Sequence, residues 1–229
     1  MTKLKEDPLL RDLAHVFEDR ADAGKRLAKY LAGYKDTQGI VLALPSGGVP
    51  VAAEIAPALD LPLDLLIVRK VQIPDNPEAG FGAVGPDGEV LLNRELIKQL
   101  RLTDKQISIQ IEKTRTTIQK RNMTFRKGKP FPSVRNMVTI VVDDGLASGF
   151  TMLSAVRFLR KMSPQRLIAA VPTGSRKTTE RLVPEVDELF CLNVRSGPFF
   201  AVASAYRNWH DLTDKEVLWL LQHQDRNPR

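Results

Sequence analysis

Short apolar runs recur along the chain, and most end at glycine, proline or acidic residues. Ile40-Val41-Leu42-Ala43-Leu44, Leu63 to Val68, Met137 to Val142, Arg166 to Val171 and Glu188 to Leu192 have the length of strands. They are apolar with little alternation, the pattern of a parallel sheet covered on both faces. Between them the apolar positions move to steps of three and four. Phe17, Ala21, Gly24, Ala28 and Leu31 mark one face of a helix that Asp19 can cap. Val51 to Leu59, Thr151 to Lys161 and Ser175 to Leu182 read as further helices, and a short one runs from Thr213 to about Gln222. Strands that alternate with helices predict an α/β fold, a doubly wound and mostly parallel sheet with helices on both faces, closed by Glu188 to Leu192.

The remainder departs from this rhythm. The first fifteen residues are polar and predict a loosely attached start. Arg69 to Gly82 is rich in proline and glycine and too irregular for an element. Ala83-Val84, the Pro86-Asp87-Gly88 turn and Val90-Leu91-Leu92 read as a β-hairpin. Two helices follow, Arg94 to Leu100 and Asp104 to about Met123, the second opened by the capping box of Thr103 and Gln106. No internal repeat or low-complexity tract is present. A chain of 229 residues suits one domain, 1–229, with residues 69–92 as an appended loop and hairpin and 195–229 as a C-terminal tail.

Composition narrows the function classes. The single cysteine, Cys191, excludes a disulfide framework, and three scattered histidines make no zinc pattern. The apolar runs fall well short of the ~18 residues of a membrane span, and the polar N-terminus does not read as a signal peptide. A cytoplasmic setting is expected. The net charge of +7 points to anionic partners, whether nucleic acid, anionic lipid or a phosphorylated small molecule. Ten Lys/Arg lie between Lys98 and Lys129, against two acids, Asp104 and Glu112. That stretch reads either as a solvated helix face or as a patch for phosphate or nucleic acid. Phe125 is its one aromatic residue, so base stacking is not indicated.

The candidate chemistry sits where strands end. In an open α/β sheet, ligands bind beyond the carboxyl ends of the strands. After Val142 come Asp143-Asp144-Gly145-Leu146-Ala147-Ser148-Gly149-Phe150-Thr151. Two carboxylates suit the hydroxyls of a sugar, or a metal. The small residues and the helix start behind them suit a phosphate. The plain alternative is a strand-to-helix turn with acidic caps. A second loop, Leu44-Pro45-Ser46-Gly47-Gly48-Val49-Pro50, lets backbone approach an anion closely, although no Gly-Lys-Ser/Thr follows to make it a P-loop. A third begins with the cations Arg69 and Lys70 and runs through Pro74-Asp75-Asn76-Pro77-Glu78-Ala79-Gly80-Phe81-Gly82. It has the length of a lid, or of a plain flexible hairpin base.

These loops, in this order, resemble a type I phosphoribosyltransferase. The stretch from Thr139 to Thr151 is similar to that family's phosphoribosyl-pyrophosphate (PRPP) loop. Most of the chain resembles bacterial and archaeal phosphoribosyltransferases of unassigned substrate, from Phe17-Glu18-Asp19-Arg20 to the tail segments Ala201-Val202 and Thr213 to Val217. The resemblance implies a role for each loop. Asp143 and Asp144 would hold the ribose hydroxyls. Ala147, Ser148, Gly149 and Thr151 would hold the 5-phosphate. Ser46, Gly47 and Gly48 would cradle pyrophosphate through a strained peptide, with Arg69 and Lys70 meeting its charge. Related sequences usually carry arginine where this chain has Ser46, and Arg69 and Lys70 would compensate. Residues 71–81 would close over the site, with Glu78 as the acid/base candidate. Ala147 takes the place of a carboxylate used by hypoxanthine/guanine enzymes and argues against that specificity. Phe199, Phe200, Tyr206 and Trp209 would either stack a planar base under a hood or pack the tail onto the core. Mg²⁺ would be held mainly by substrate oxygens, with Asp143 and Asp144 as possible ligands. The implied activity is transfer of the phosphoribosyl group from PRPP to a nitrogenous acceptor, with release of pyrophosphate. A PRPP-sensing regulator of the same fold that binds RNA or DNA is the other reading. A homodimer is the commonest assembly to expect.

Overall fold

The computed structural model describes residues 3–197 and 199–223, with the side chains of Pro77 and Glu78 left aside. Glu78, the acid/base candidate, therefore lies outside the described side chains. The elements in chain order are β1 (Leu4–Lys5), α1 (Arg20–Tyr30), β2 (Gly39–Ala43), α2 (Gly48–Leu59), β3 (Leu63–Leu65), β4 (Arg69–Ile73), β5 (Asn76–Val84), β6 (Val90–Leu92), α3 (Arg94–Gln99), α4 (Asp104–Arg121), β7 (Val138–Val142), α5 (Phe150–Lys161), β8 (Arg166–Ser175), α6 (Arg176–Leu182), β9 (Glu188–Arg195) and α7 (Asp214–Gln222).

The large sheet runs β1-β9-β8-β7-β2-β3, and every neighbouring pair is parallel. Its two middle strands, β7 and β2, are buried at every position, as their unbroken apolar runs require. The pleat divides the sheet between two cores. Val41, Ala43, Ile140, Val142, Ile168 and Ala170 face α1 and α2, together with Leu27, Leu31, Val51 and Ile55. Ile40, Leu42, Leu44, Val141, Leu167, Ala169 and Val171 face α5, with Leu153, Val156 and Leu159. Two filled faces make this the doubly wound sheet expected from the alternation.

Four local expectations are corrected. Asp19 does cap α1, accepting from the Asp22 amide, but the buried face is Arg20, Ala23, Gly24, Leu27 and Ala28, with Ala21 at its edge. The start of the chain is tied down: β1 pairs with β9, and Asn193 Nδ2 donates to the carbonyls of Leu10 and Leu13. The sheet therefore closes on β1, not on β9. Arg69 to Gly82 is not irregular. It forms β4 and most of β5, which join β6 in a separate antiparallel sheet, β4-β5-β6. The cross-strand hydrogen bonds override the poor strand propensity of its glycines, and register shifts around Gln72 absorb the misfit. Finally, β8 continues four residues past Val171, to Ser175, which brings Gly174 beside Leu146.

The capping boxes at Thr103/Gln106 and Thr213/Glu216 start α4 and α7. After α4 the chain makes a π-helical turn, Asn122–Arg126. Arg126 then turns inward to pair with Asp64 and to bond the carbonyls of Leu65 and Pro130 at 3.0 and 2.8 Å. Among the described residues no helix is long and apolar enough to cross a membrane.

Candidate functional site

β2 and β7 are neighbours, with Ala43 opposite Val142. Their carboxyl ends therefore deliver the turn at 45–48 and the loop at 143–149 to one place. The two segments touch backbone to backbone. A methyl group on Gly48 would lie 2.5 Å from the Val142 carbonyl oxygen and 3.0 Å from Asp143 Cα. One on Gly47 would lie 1.9 Å from Asp144 Oδ2. Adjacent glycines let the turn lie against the acidic pair, and the Pro45–Ser46 peptide within it is cis.

The acidic pair is mostly withdrawn from water. Asp143 Oδ1 accepts from the Asp144 amide at 2.9 Å. Asp144 Oδ2 accepts from Arg20 Nε at 2.9 Å, and Arg20 also donates to the His210 carbonyl and lies 3.7 Å over the Trp209 ring. Burial pushes the Asp143 carboxyl well above its ordinary range, and the neighbouring charge of Asp144 adds to this. Burial also raises Asp144, while Arg20 draws it back. The pair thus holds less than two full negative charges until a ligand or cation arrives.

Beyond the acids, the loop is braced from β8 and α6. The Leu146 amide donates to Thr173 O, and the Ser175 amide donates back to Leu146 O. Thr178 Oγ1 donates to the Ala147 carbonyl at 2.6 Å, and Arg181 donates to that of Ser148. Gly149 has φ +73° and caps α5, and a side chain there would strike Thr178. With the carbonyls of Ala147 and Ser148 tied back, the amides of Ala147, Ser148 and Gly149 make no hydrogen bond among the described residues. Thr151 stands half-buried in the first turn of α5. This is a pocket of free donors at a helix start, suited to an anion.

The structure brings Asp143, Asp144, Ser46, Gly47 and Gly48 together. Arg69 opens β4 close to α4, and burial, followed by the charge of Arg121, holds it below its ordinary pKa. Lys70 follows it on the same strand. The four aromatic candidates divide. Tyr206 is buried, its ring 5.7 Å from Phe17, and its hydroxyl donates to the Asp144 carbonyl at 2.6 Å. Trp209 joins it at 5.2 Å. Phe200 is half-buried, and Phe199 is 92% exposed. Tyr206 is thus spent on packing and bracing, and the four rings form no single stack.

Arg20, Arg121, Thr178 and Arg181 do not stand out in the sequence as site residues. Arg20 alone leaves a signal, because it stands in line with Ala23, Gly24 and Leu27 on the buried face of α1, where an unpaired cation would be costly.

Residues 17–206 match the phosphoribosyl transferase domain family. The chain belongs to that family. Among family relatives, TT1426 of Thermus thermophilus has a crystal structure that is 35% identical, covers 91% of this chain and 98% of its own, and superposes with a TM-score of 0.71. Two Mycobacterium tuberculosis proteins, one named "Putative phosphoribosyl transferase Rv0571c", are 37% identical over 93% of this chain. The chain spans about half the length of these curated relatives, 48%. A hypothetical protein from Neisseria gonorrhoeae, crystallised with bound ppGpp, shares the fold at 14% identity and a TM-score of 0.51, covering 97% of each chain. The phosphoribosyl transferase match takes in the turn at 45–48, the β4-β5-β6 sheet and the acidic loop.

Proposed function

We propose that this chain is a Mg²⁺-dependent phosphoribosyltransferase that moves the 5-phosphoribosyl group of PRPP to a nitrogenous acceptor and releases pyrophosphate. The observation that carries the reading is the packing of the glycine turn directly against the acidic pair, beside the free amides of residues 147–149. Each part has a counterpart in PRPP. Ala147, Ser148, Gly149 and Thr151 take the 5-phosphate at the start of α5. Asp143 and Asp144 accept from the two ribose hydroxyls. Ser46, Gly47 and Gly48 take the pyrophosphate, and Arg69 and Lys70 meet its charge.

The donor set fits a metal held chiefly by its ligand. Among the described residues no group of three or more His, Cys, Asp or Glu could hold an ion. Two carboxylates, one already engaged by Arg20, suit Mg²⁺ bound mostly through ligand oxygens and water, with Asp143 and Asp144 facing it. When bound, the ion would neutralise charge on the pyrophosphate.

The chemistry asks little covalent work of the protein. The bond between ribose C1 and the pyrophosphate oxygen breaks, and the electron pair leaves with pyrophosphate. Positive charge spreads over the ring, and a nitrogen lone pair forms the new bond and loses its proton. Buried carboxylates beneath the ring stabilise that charge, and cations hold the leaving group. Residues 69–92 act as a lid that excludes water, and Glu78 on it is the acid/base candidate. The tail, residues 195–229, forms the acceptor side, where Trp209 and Tyr206 already adjoin Asp144. We read 1–229 as one catalytic domain.

The test is pyrophosphate release from Mg²⁺–PRPP across a panel of nucleobases and related heterocycles. Release with an acceptor, lost in Asp143→Asn/Asp144→Asn, supports the enzyme. Tight PRPP binding without turnover on any acceptor, together with salt-sensitive nucleic-acid binding, would favour the regulator instead.

A further inference from the structure

Arg121, the last residue of α4, reaches across to the glycine turn. Its Nη2 donates to Ser46 Oγ at 2.8 Å, and the same nitrogen is 3.2 Å from Asp214 Oδ1 in the first turn of α7. Its Nε is, among the described residues, the one buried side-chain nitrogen or oxygen without a hydrogen-bond partner. The Arg121 side chain is 15% exposed and that of Asp214 58% exposed. Asp214 thus enters from the solvent side and answers one edge of a withdrawn guanidinium.

Arg69 crowds the same place, lowered in pKa by burial and then by the charge of Arg121. Arginine cannot discharge by losing its proton, so two neighbouring buried guanidiniums need an anion. A single exposed carboxylate is a weak answer to that need. A diphosphate offers several oxygens in the fork geometry that guanidinium prefers, and the turn it would occupy already touches Arg121 through Ser46.

We propose that Arg121 is a pyrophosphate-binding residue, and that Asp214 is a built-in counter-ion that stands in for pyrophosphate and gives way when it binds. The proposal rests on the reading of residues 46–48 as the pyrophosphate cradle. It makes the start of α7 sensitive to ligand. Arg121 also accounts for one member of the basic stretch from Lys98 to Lys129 as part of the site rather than of a solvated face.

The experiment is calorimetric titration of three ligands, Mg²⁺–PRPP, Mg²⁺–pyrophosphate and ribose 5-phosphate, into wild type, Arg121→Ala and Asp214→Asn. Loss of a charged hydrogen bond predicts that Arg121→Ala weakens PRPP and pyrophosphate by roughly ten- to a hundredfold. Ribose 5-phosphate, which lacks the pyrophosphate, keeps its affinity. Asp214→Asn removes the competing charge, so it tightens PRPP and pyrophosphate several-fold. This opposite sign separates the role from simple damage to the fold. Unchanged pyrophosphate affinity in Arg121→Ala, an equal loss for ribose 5-phosphate, or weaker binding in Asp214→Asn would overturn the proposal while leaving the PRPP site intact. Wild type that binds neither PRPP nor pyrophosphate would overturn the whole reading, and this shows before any variant is made.

Discussion

Replacing Gly48 by alanine probes the junction on which the site depends. The new methyl group would sit 2.5 Å from the Val142 carbonyl oxygen and 3.0 Å from Asp143 Cα. Both atoms belong to the backbone, so no rotamer change relieves the clash. Ordinary contact begins at 3.4 Å, so the turn must withdraw from β7 by about 0.9 Å or β7 must yield. Overpacking of this kind costs about 1–3 kcal/mol, a fall in Tm of roughly 2–12 °C for a domain of this size. A shift near 1 Å between groups that must hold one ligand can cost about a hundredfold in function. Gly48→Ala should therefore fold, melt a few degrees early and bind Mg²⁺–PRPP about a hundredfold more weakly in calorimetry. Gly33→Ala, where a methyl group meets nothing within 4 Å, is the control and should change neither. Wild-type affinity in Gly48→Ala, with the melting point unmoved, would refute the argument that this contact sets the site.

Other expectations follow from single contacts. Tyr206→Phe removes the donor to the Asp144 carbonyl but keeps the ring, so stability should fall by about 1–3 kcal/mol in denaturant titration, with the m-value unchanged. Arg20→Ala strands a mostly buried Asp144 carboxylate and should cost about 3–5 kcal/mol, part of which Asp144→Asn restores in the double mutant; additive losses would break the claim of a coupled pair. Glu216 is held down to about 2 by the Thr213 hydroxyl, the Thr213 amide and His210. A depressed folded pKa gives stability that is full above the unfolded value near ~4.3 and lost as pH falls through about 2. The Tm advantage of wild type over Glu216→Gln should therefore be constant at neutral pH and shrink between those values; a gap that ignores pH would count against the Glu216 cap.

The large sheet was legible because burial on both faces leaves unbroken apolar runs, as in Ile40 to Leu44 and Met137 to Val142. The acidic loop was legible because its residue types and their order carry chemistry by themselves. What escaped was set by distant contacts. β4 and β5 exist through cross-strand pairing, although Pro74, Pro77 and Gly80 disfavour strands locally. β1 is two residues long and is held by β9 and Asn193, which no local pattern announces. Arg20 and Arg121 lie 124 and 75 residues from the groups they meet, so their roles appear only once the chain has folded.

The central claim is that the end of β7 and the glycine turn form a PRPP site. Thermal unfolding with and without Mg²⁺–PRPP, on wild type and on Asp143→Asn/Asp144→Asn, tests it most directly. Ligand at a hundred times its Kd adds ~2.7 kcal/mol, a rise in Tm of roughly 5–11 °C for this size. The account predicts that rise in wild type and its loss in the double mutant. No rise at millimolar PRPP, or an equal rise in both proteins, would contradict it.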